Sequence, residues 1–243
     1  MKIKNLILTL IISSFLFGCT GDAYTQLQLA ASRGEIELIK EILDKGADIN
    51  EKNKHGKTAL MLAAGNGRME ATNLLLERNA IIDAQEVDGM TALMMAASDG
   101  KTETVKLLVD NGANVNITNN YGATAMTNAA FFNHPESVKA ILSSKQKVNT
   151  DTNENALLIA AGLGLGEIIQ MLVDYGVDVN ARGKNGRTPL MAAVEFNHID
   201  AAKVLLKNKA NPKAQDSEGE SIMSIAKDKG NNEIIALLNK GSQ

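Results

Sequence analysis

The chain has 243 residues, with 25 basic and 28 acidic side chains for a formal net charge of −3, and it is 44% hydrophobic but only 3% aromatic, with one cysteine. That balance excludes the basic surface that binding to a nucleic-acid backbone requires, and a lone cysteine excludes an internal disulfide framework. A core of such composition must be assembled from Leu, Ile, Val and Ala rather than from large rings.

Read from the N-terminus, Lys2 and Lys4 precede an apolar run from Leu6 to Gly18, and the single cysteine, Cys19, follows directly. A basic start and an apolar stretch this short fit a leader better than a bilayer span, although an uncleaved anchor is the alternative. Leu16-Phe17-Gly18-Cys19 resembles a bacterial lipoprotein signal, with Phe17 an unusual occupant of its slot. The resemblance implies a signal peptide over 1–18, lipidation of Cys19 and a tether over 19–23. It also implies membrane association by the lipid anchor only, in a bacterial cell envelope facing the periplasm. Thr20 in place of an aspartate favours the outer membrane over the inner. Loss of Lys2 and Lys4 leaves 23 basic against 28 acidic residues, a mature charge near −5. Thr20 to Tyr24 reach at most about 17 Å when extended, so the domain that follows is expected to work close to the membrane.

From residue 24 to 243 the chain repeats itself. Units begin at Thr25, Thr58, Thr91, Thr124, Asn155, Thr188 and Ser221, at spacings of 33, 33, 33, 31, 33 and 33. The opening phrases include TALMLAAGNG, TALMMAASDG and TPLMAAVEFN, and endings such as Gly46-Ala47-Asp48-Ile49-Asn50 and Gly112-Ala113-Asn114-Val115-Asn116 stay in register. Within a unit, Leu60, Ala63 and Ala64 form one stripe of a short helix, and Leu74, Leu75 and Leu76 continue it on a second. Gly67 separates the two, and Asn133 and Asn197 take the same slot in other units. A period of this length marks a stacked repeat array.

These phrases resemble ankyrin repeats over nearly everything after residue 23. The resemblance implies an all-α solenoid with short β-hairpin fingers, an ankyrin-repeat stack of about seven helix-turn-helix units forming one elongated domain. The family's proline survives only as Pro189, and its histidine slot holds Gln28, Met61, Met94, Thr127, Leu158, Met191 and Ser224. Methionine there means softer apolar packing in place of a recurring hydrogen bond. Lys227, Asp228, Lys229, Asn231, Asn232 and Glu233 give the last unit the polar character of a cap.

No residue pattern suggests catalysis. His134 and His198 fall just behind the helix-ending slot, where the family carries histidine for structural reasons, and His55 stands alone at a finger tip. Ala160-Ala161-Gly162-Leu163-Gly164-Leu165-Gly166 looks like a phosphate-cradling loop, but the register assigns Gly164 to the helix-ending slot, and a dinucleotide fold would need a preceding strand. No enzyme activity, cofactor or metal is therefore expected, and function should lie in binding a protein partner as a monomer.

By family register, the finger tips and the ends of the first helices line the concave face. Tyr121, Phe131, Phe132 and Phe196 occupy variable slots there, joined by Arg33, His55, Asp88, Asp99 and Asn185 as candidate contacts. Exposed rings supply large contact area per ordered side chain. A second reading stays open for Phe131 and Phe132. The 31-residue spacing means that the finger around Thr150 to Glu154 lacks two residues and its turn glycine, and the two rings could fill the space. The resemblance implies two roles: an adaptor or stabiliser of an envelope enzyme, as in oxidative-stress protection through a periplasmic catalase, or an immunity protein that neutralises a toxin delivered to the periplasm.

Overall fold

A computed structural model describes residues 25–240. The leader, Cys19 and the tether, and residues 241–243, lie outside the described residues. Fourteen helices occur among the described residues, in seven pairs: α1 (Gln26–Arg33) with α2 (Ile36–Asp44), α3 (Ala59–Gly65) with α4 (Met69–Glu77), α5 (Ala92–Ser98) with α6 (Thr102–Asp110), α7 (Ala125–Phe131) with α8 (Pro135–Leu142), α9 (Thr150–Gly162) with α10 (Gly166–Tyr175), α11 (Pro189–Glu195) with α12 (Ile199–Lys207), and α13 (Ile222–Asp228) with α14 (Asn232–Lys240). The first helices of successive pairs pack on one another in one layer and the second helices in another.

The repeated threonine is the helix N-cap. The hydroxyls of Thr25, Thr58, Thr91, Thr124, Thr188 and Ser221 each accept a hydrogen bond from the backbone N–H three residues on, at 3.1 to 3.4 Å. Such a cap stabilises a helix by about 1 kcal/mol. In four units the family's lost histidine is replaced in one of two ways. Gln28 is buried and donates to the carbonyls of Glu51 and Lys57 at 2.9 and 3.2 Å, so the first unit rebuilds a polar link to its finger. Met61, Met94 and Met191 are fully buried instead, and the Met61 and Met191 sulfurs accept the N–H of their own cap threonine at 3.4 and 3.5 Å.

Paired alanines such as Ala63-Ala64, Ala96-Ala97, Ala129-Ala130 and Ala160-Ala161 are fully buried, so first helices approach closely. On the second layer one slot holds Leu75, Leu108, Ile141, Leu172, Leu205 and Leu238, all buried, each contributing about 1.5–3 kcal/mol of apolar burial. In the first unit the same slot holds Ile42, only half-buried because no earlier unit covers it among the described residues.

The fingers are tight turns, not extended ladders: the one isolated β-bridge among the described residues joins Gln215 and Ser221. Four turns are braced from inside. Asn53, Glu86, Asn119 and Asp216 each accept two backbone N–H bonds within their own finger, at 2.9 to 3.1 Å. Neighbouring tips are linked by single backbone bonds, Val87 N to His55 O at 3.1 Å, Asn120 N to Asp88 O at 2.9 Å, and Ser217 N to Asn185 O at 3.0 Å. The row is broken once. Where the repeat spacing falls to 31 residues, the chain runs from Asn149 straight into α9, which has 13 residues against 7 for its counterpart α7.

His134 and His198 have structural roles. Their Nε2 atoms lie 3.0 Å from the Ser98 and Gly162 carbonyls of the preceding unit and donate to them. Each ring covers the glycine of the unit before, leaving a hypothetical Cβ on Gly100 or Gly164 only 2.6 Å from imidazole atoms. Gly164 therefore sits at the turn between α9 and α10, as its register requires, and the glycine-rich stretch is a helix end.

Candidate functional site

The concave face is built from the last residues of the first helices and from the finger tips. All nine side chains singled out from the sequence as partner contacts are exposed. Tyr121 is 80% exposed, Phe196 60%, Phe131 54% and Phe132 53%. The rings of Phe131 and Phe132 meet edge to face, with centroids 5.0 Å apart and planes at 86°. Both rings are thus more than half exposed and do not fill the space beside the shortened finger, where the chain instead enters the lengthened α9. Phe196 lies over Gly162 of the preceding unit, about 3.7 Å from where a Cβ would stand. Leu163 occupies the slot of the fifth unit that Phe196 occupies in the sixth.

Tyr121 stands where the finger row breaks. The Tyr121 finger is the last of three hydrogen-bonded tips, and nothing lies within 4 Å of a Cβ built on its Gly122, whereas on Gly56, Gly89 and Gly186 a Cβ would meet the next finger at 3.0 Å or less. The Tyr121 ring is exposed, as are His55, Asp88 and Asn185 in the same slot of the other fingers. Val87 (63% exposed) and Leu163 (44%) extend the apolar surface on either side. Sequence reasoning missed both, although each is an aliphatic residue in a slot that is polar in most other units.

The remaining candidates divide by location. His55, Asp88 and Asp99 line one groove of about 560 Å³ between the second and third units, together with Met90, Met95 and Gly65. Asn185 lies beyond the missing finger, next to Arg187, which pairs with Glu195, Asp216 and Glu220. Arg33 is at the opposite end of the stack, where it pairs with Glu35 at 3.7 Å and borders a hollow with Leu29 and Leu38. It is not contiguous with the aromatic strip. Tyr175, which occupies no concave slot, accepts the Val148 N–H at 3.2 Å and braces the segment before α9.

Among the described residues no cluster of three or more His, Cys, Asp or Glu is placed to hold a metal ion, and no helix is long and apolar enough to cross a membrane. What the surface offers is shape, exposed rings and localised charge, the means of macromolecular recognition.

Comparison with known proteins agrees with this architecture. The family model described as Ankyrin repeats (3 copies) matches residues 3–86, 79–152 and 144–216. A putative ankyrin repeat protein of Rickettsia bellii is 36% identical over 85 residues, covering 35% of this chain and 46% of that protein. The human ankyrin repeat domain-containing protein 63 is 33% identical over 86 residues, covering 34% of this chain and 23% of that one. An ankyrin repeat and KH domain-containing protein of Caenorhabditis briggsae is 34% identical over 85 residues, which cover 34% of this chain and 3% of that protein. The chain thus matches less than half the length of each of these relatives. The crystal structure of the human ASB11 ankyrin repeat domain superposes with a TM-score of 0.75 at 23% identity, over 88% of this chain and 97% of that one.

Proposed function

The chain belongs to the ankyrin-repeat family, and on that premise we propose that it is a non-enzymatic protein-interaction module that holds a partner on its concave face, through Tyr121, Phe131, Phe132 and Phe196. The observation that carries the reading is the exposure of these four rings, with Val87 and Leu163, along consecutive units of a solenoid whose other concave slots are largely polar or glycine. Buried aromatic anchors dominate binding energy in protein interfaces, and a contiguous exposed apolar surface marks such a site.

The leader and Cys19 support a placement for this module: lipid-anchored in a bacterial envelope, facing the periplasm, within about 17 Å of the membrane by the reach of its tether. In that setting the partner is a resident envelope protein that the solenoid positions or stabilises. The test is retention of a partner from gently solubilised envelopes by the tagged lipidated protein, compared with Tyr121→Ala, Phe196→Ala. A resident enzyme lost from the variant supports the adaptor role. A secreted toxin lost from it replaces the adaptor role by immunity. Identical retention by both proteins overturns the assignment of the concave rings.

A further inference from the structure

The concave face is chemically polarised along the stack. Toward the C-terminal side of the broken finger row, Phe131, Phe132, Leu163 and Phe196 make it apolar. Toward the N-terminal side it opens into the groove of about 560 Å³ between the second and third units. Gly65 forms part of its wall against the third unit, where a Cβ would lie 3.5 Å from Met95 Cβ and 3.6 Å from Asp99 Oδ2. Its floor is Met61, Leu62, Met90 and Met95, and its rim carries Asp88 and Asp99.

The two rim carboxylates are exposed and have no ion-pair partner among the described residues. Glu195, at the far end of the strip, is instead taken by Arg187. Of the other charged groups lining the groove, Glu86 spends one oxygen on the N–H groups of Asp88 and Met90, and Lys57 supplies one positive charge against three carboxylates. His55 is at the mouth. Val87 and Asp88 line the groove and the Asp88 carbonyl accepts the Asn120 N–H of the Tyr121 finger, so the groove adjoins the finger of the fourth unit, whose first helix ends in Phe131 and begins the strip.

We propose that the partner presents an extended segment that is apolar at one end and carries a Lys or Arg at the other, the apolar side chains covering the Phe132–Phe131–Leu163–Phe196 strip and the basic side chain entering the groove between Asp88 and Asp99. A long basic side chain suits both parts of the groove. Its aliphatic stem lies on the methionines and its charged tip reaches the carboxylates. The distance from the third unit to the sixth is about 30 Å at a spacing of about 10 Å per packed helix, which about nine extended residues span. The proposal rests on the concave face being the binding surface and adds to it the chemistry and direction of the partner segment.

The probe is a displayed library of random 12-residue peptides panned against the full chain, followed by affinities of the enriched peptides for three proteins: wild type, Asp88→Asn with Asp99→Asn, and Phe132→Ala with Phe196→Ala. Melting curves of both variants establish that each is folded. The expected result is enrichment of peptides with aromatic or aliphatic residues followed or preceded by Lys or Arg, weakened at least about tenfold by the double Asn variant, as for loss of a charge pair at an interface. Peptides that need Phe132 and Phe196 but bind the Asn variant unchanged, or that carry no basic residue, overturn the proposal and leave the concave-face reading standing. Peptides indifferent to both variants overturn both.

Discussion

Replacing Gly89 and, separately, Gly122 by alanine tests whether the finger row is interrupted where the repeat spacing shortens. The two glycines occupy the same slot of successive fingers, with φ of 80° and 76°, so each alanine carries the same left-handed strain of about 1–2 kcal/mol. They differ in what lies ahead. A Cβ on Gly89 would stand 2.9 Å from Asn120 Oδ1, 3.0 Å from Asn120 N and 3.1 Å from Asn119 Cα, whereas one on Gly122 meets nothing within 4 Å. Two of the three close atoms are backbone, so relief requires the next finger to move. That strains the 2.9 Å bond from Asn120 N to Asp88 O, worth about 1 kcal/mol, and adds an overpacking cost of about 1–3 kcal/mol. Gly89→Ala should therefore be about 2–4 kcal/mol more destabilising than Gly122→Ala. Thermal melts followed by helical circular dichroism read this as a difference of about 4–16 °C at about 2–4 °C per kcal/mol for a chain of this size. Equal melting temperatures would refute the interrupted row.

Three further outcomes follow from the same contacts. His198→Ala removes the bond to the Gly162 carbonyl and uncovers Gly164, and should lower stability by about 1–3 kcal/mol in urea unfolding; an unchanged midpoint would assign the ring no structural role. Phe132→Ala, at a position more than half exposed, should cost under about 1 kcal/mol, and a larger loss would mean that the ring is part of the core. Cys19→Ser should move the protein expressed in its native envelope from the detergent phase to the aqueous phase on detergent partitioning. Persistence in the detergent phase would refute a lipid anchor at that residue.

Much of this architecture was legible in the sequence because register carries structural meaning. The recurring threonine is read as a unit boundary and proves to be a helix cap, and Asn133 and Asn197 adopt φ of 57° and 64° in the slot that other units give to glycine. The shortened spacing located the missing finger. What replaced it was less apparent, since turn loss and helix lengthening at Thr150 share one sequence signature. Whether Phe131 and Phe132 were exposed depended on that replacement, and no local pattern could decide it. Register places Val87 and Leu163 in concave-face slots, yet neither is chosen as a contact, because aromatic rings and charges carry the choice and aliphatic residues are passed over. The fingers are hairpin turns too short for a ladder, each closed by one backbone bond across it, such as Asn119 N to Ala123 O at 2.9 Å, and in most of them by a side chain such as Asn119 or Asp216.

The account depends most on the concave rings being a binding surface. The direct measurement is affinity purification of the tagged full chain from gently detergent-solubilised cells beside its Tyr121→Ala, Phe196→Ala variant, with melting temperatures of both. One partner retained by the wild type and lost from an equally stable variant is the predicted result. The same partners recovered with both proteins would contradict it and move the binding surface elsewhere on the solenoid.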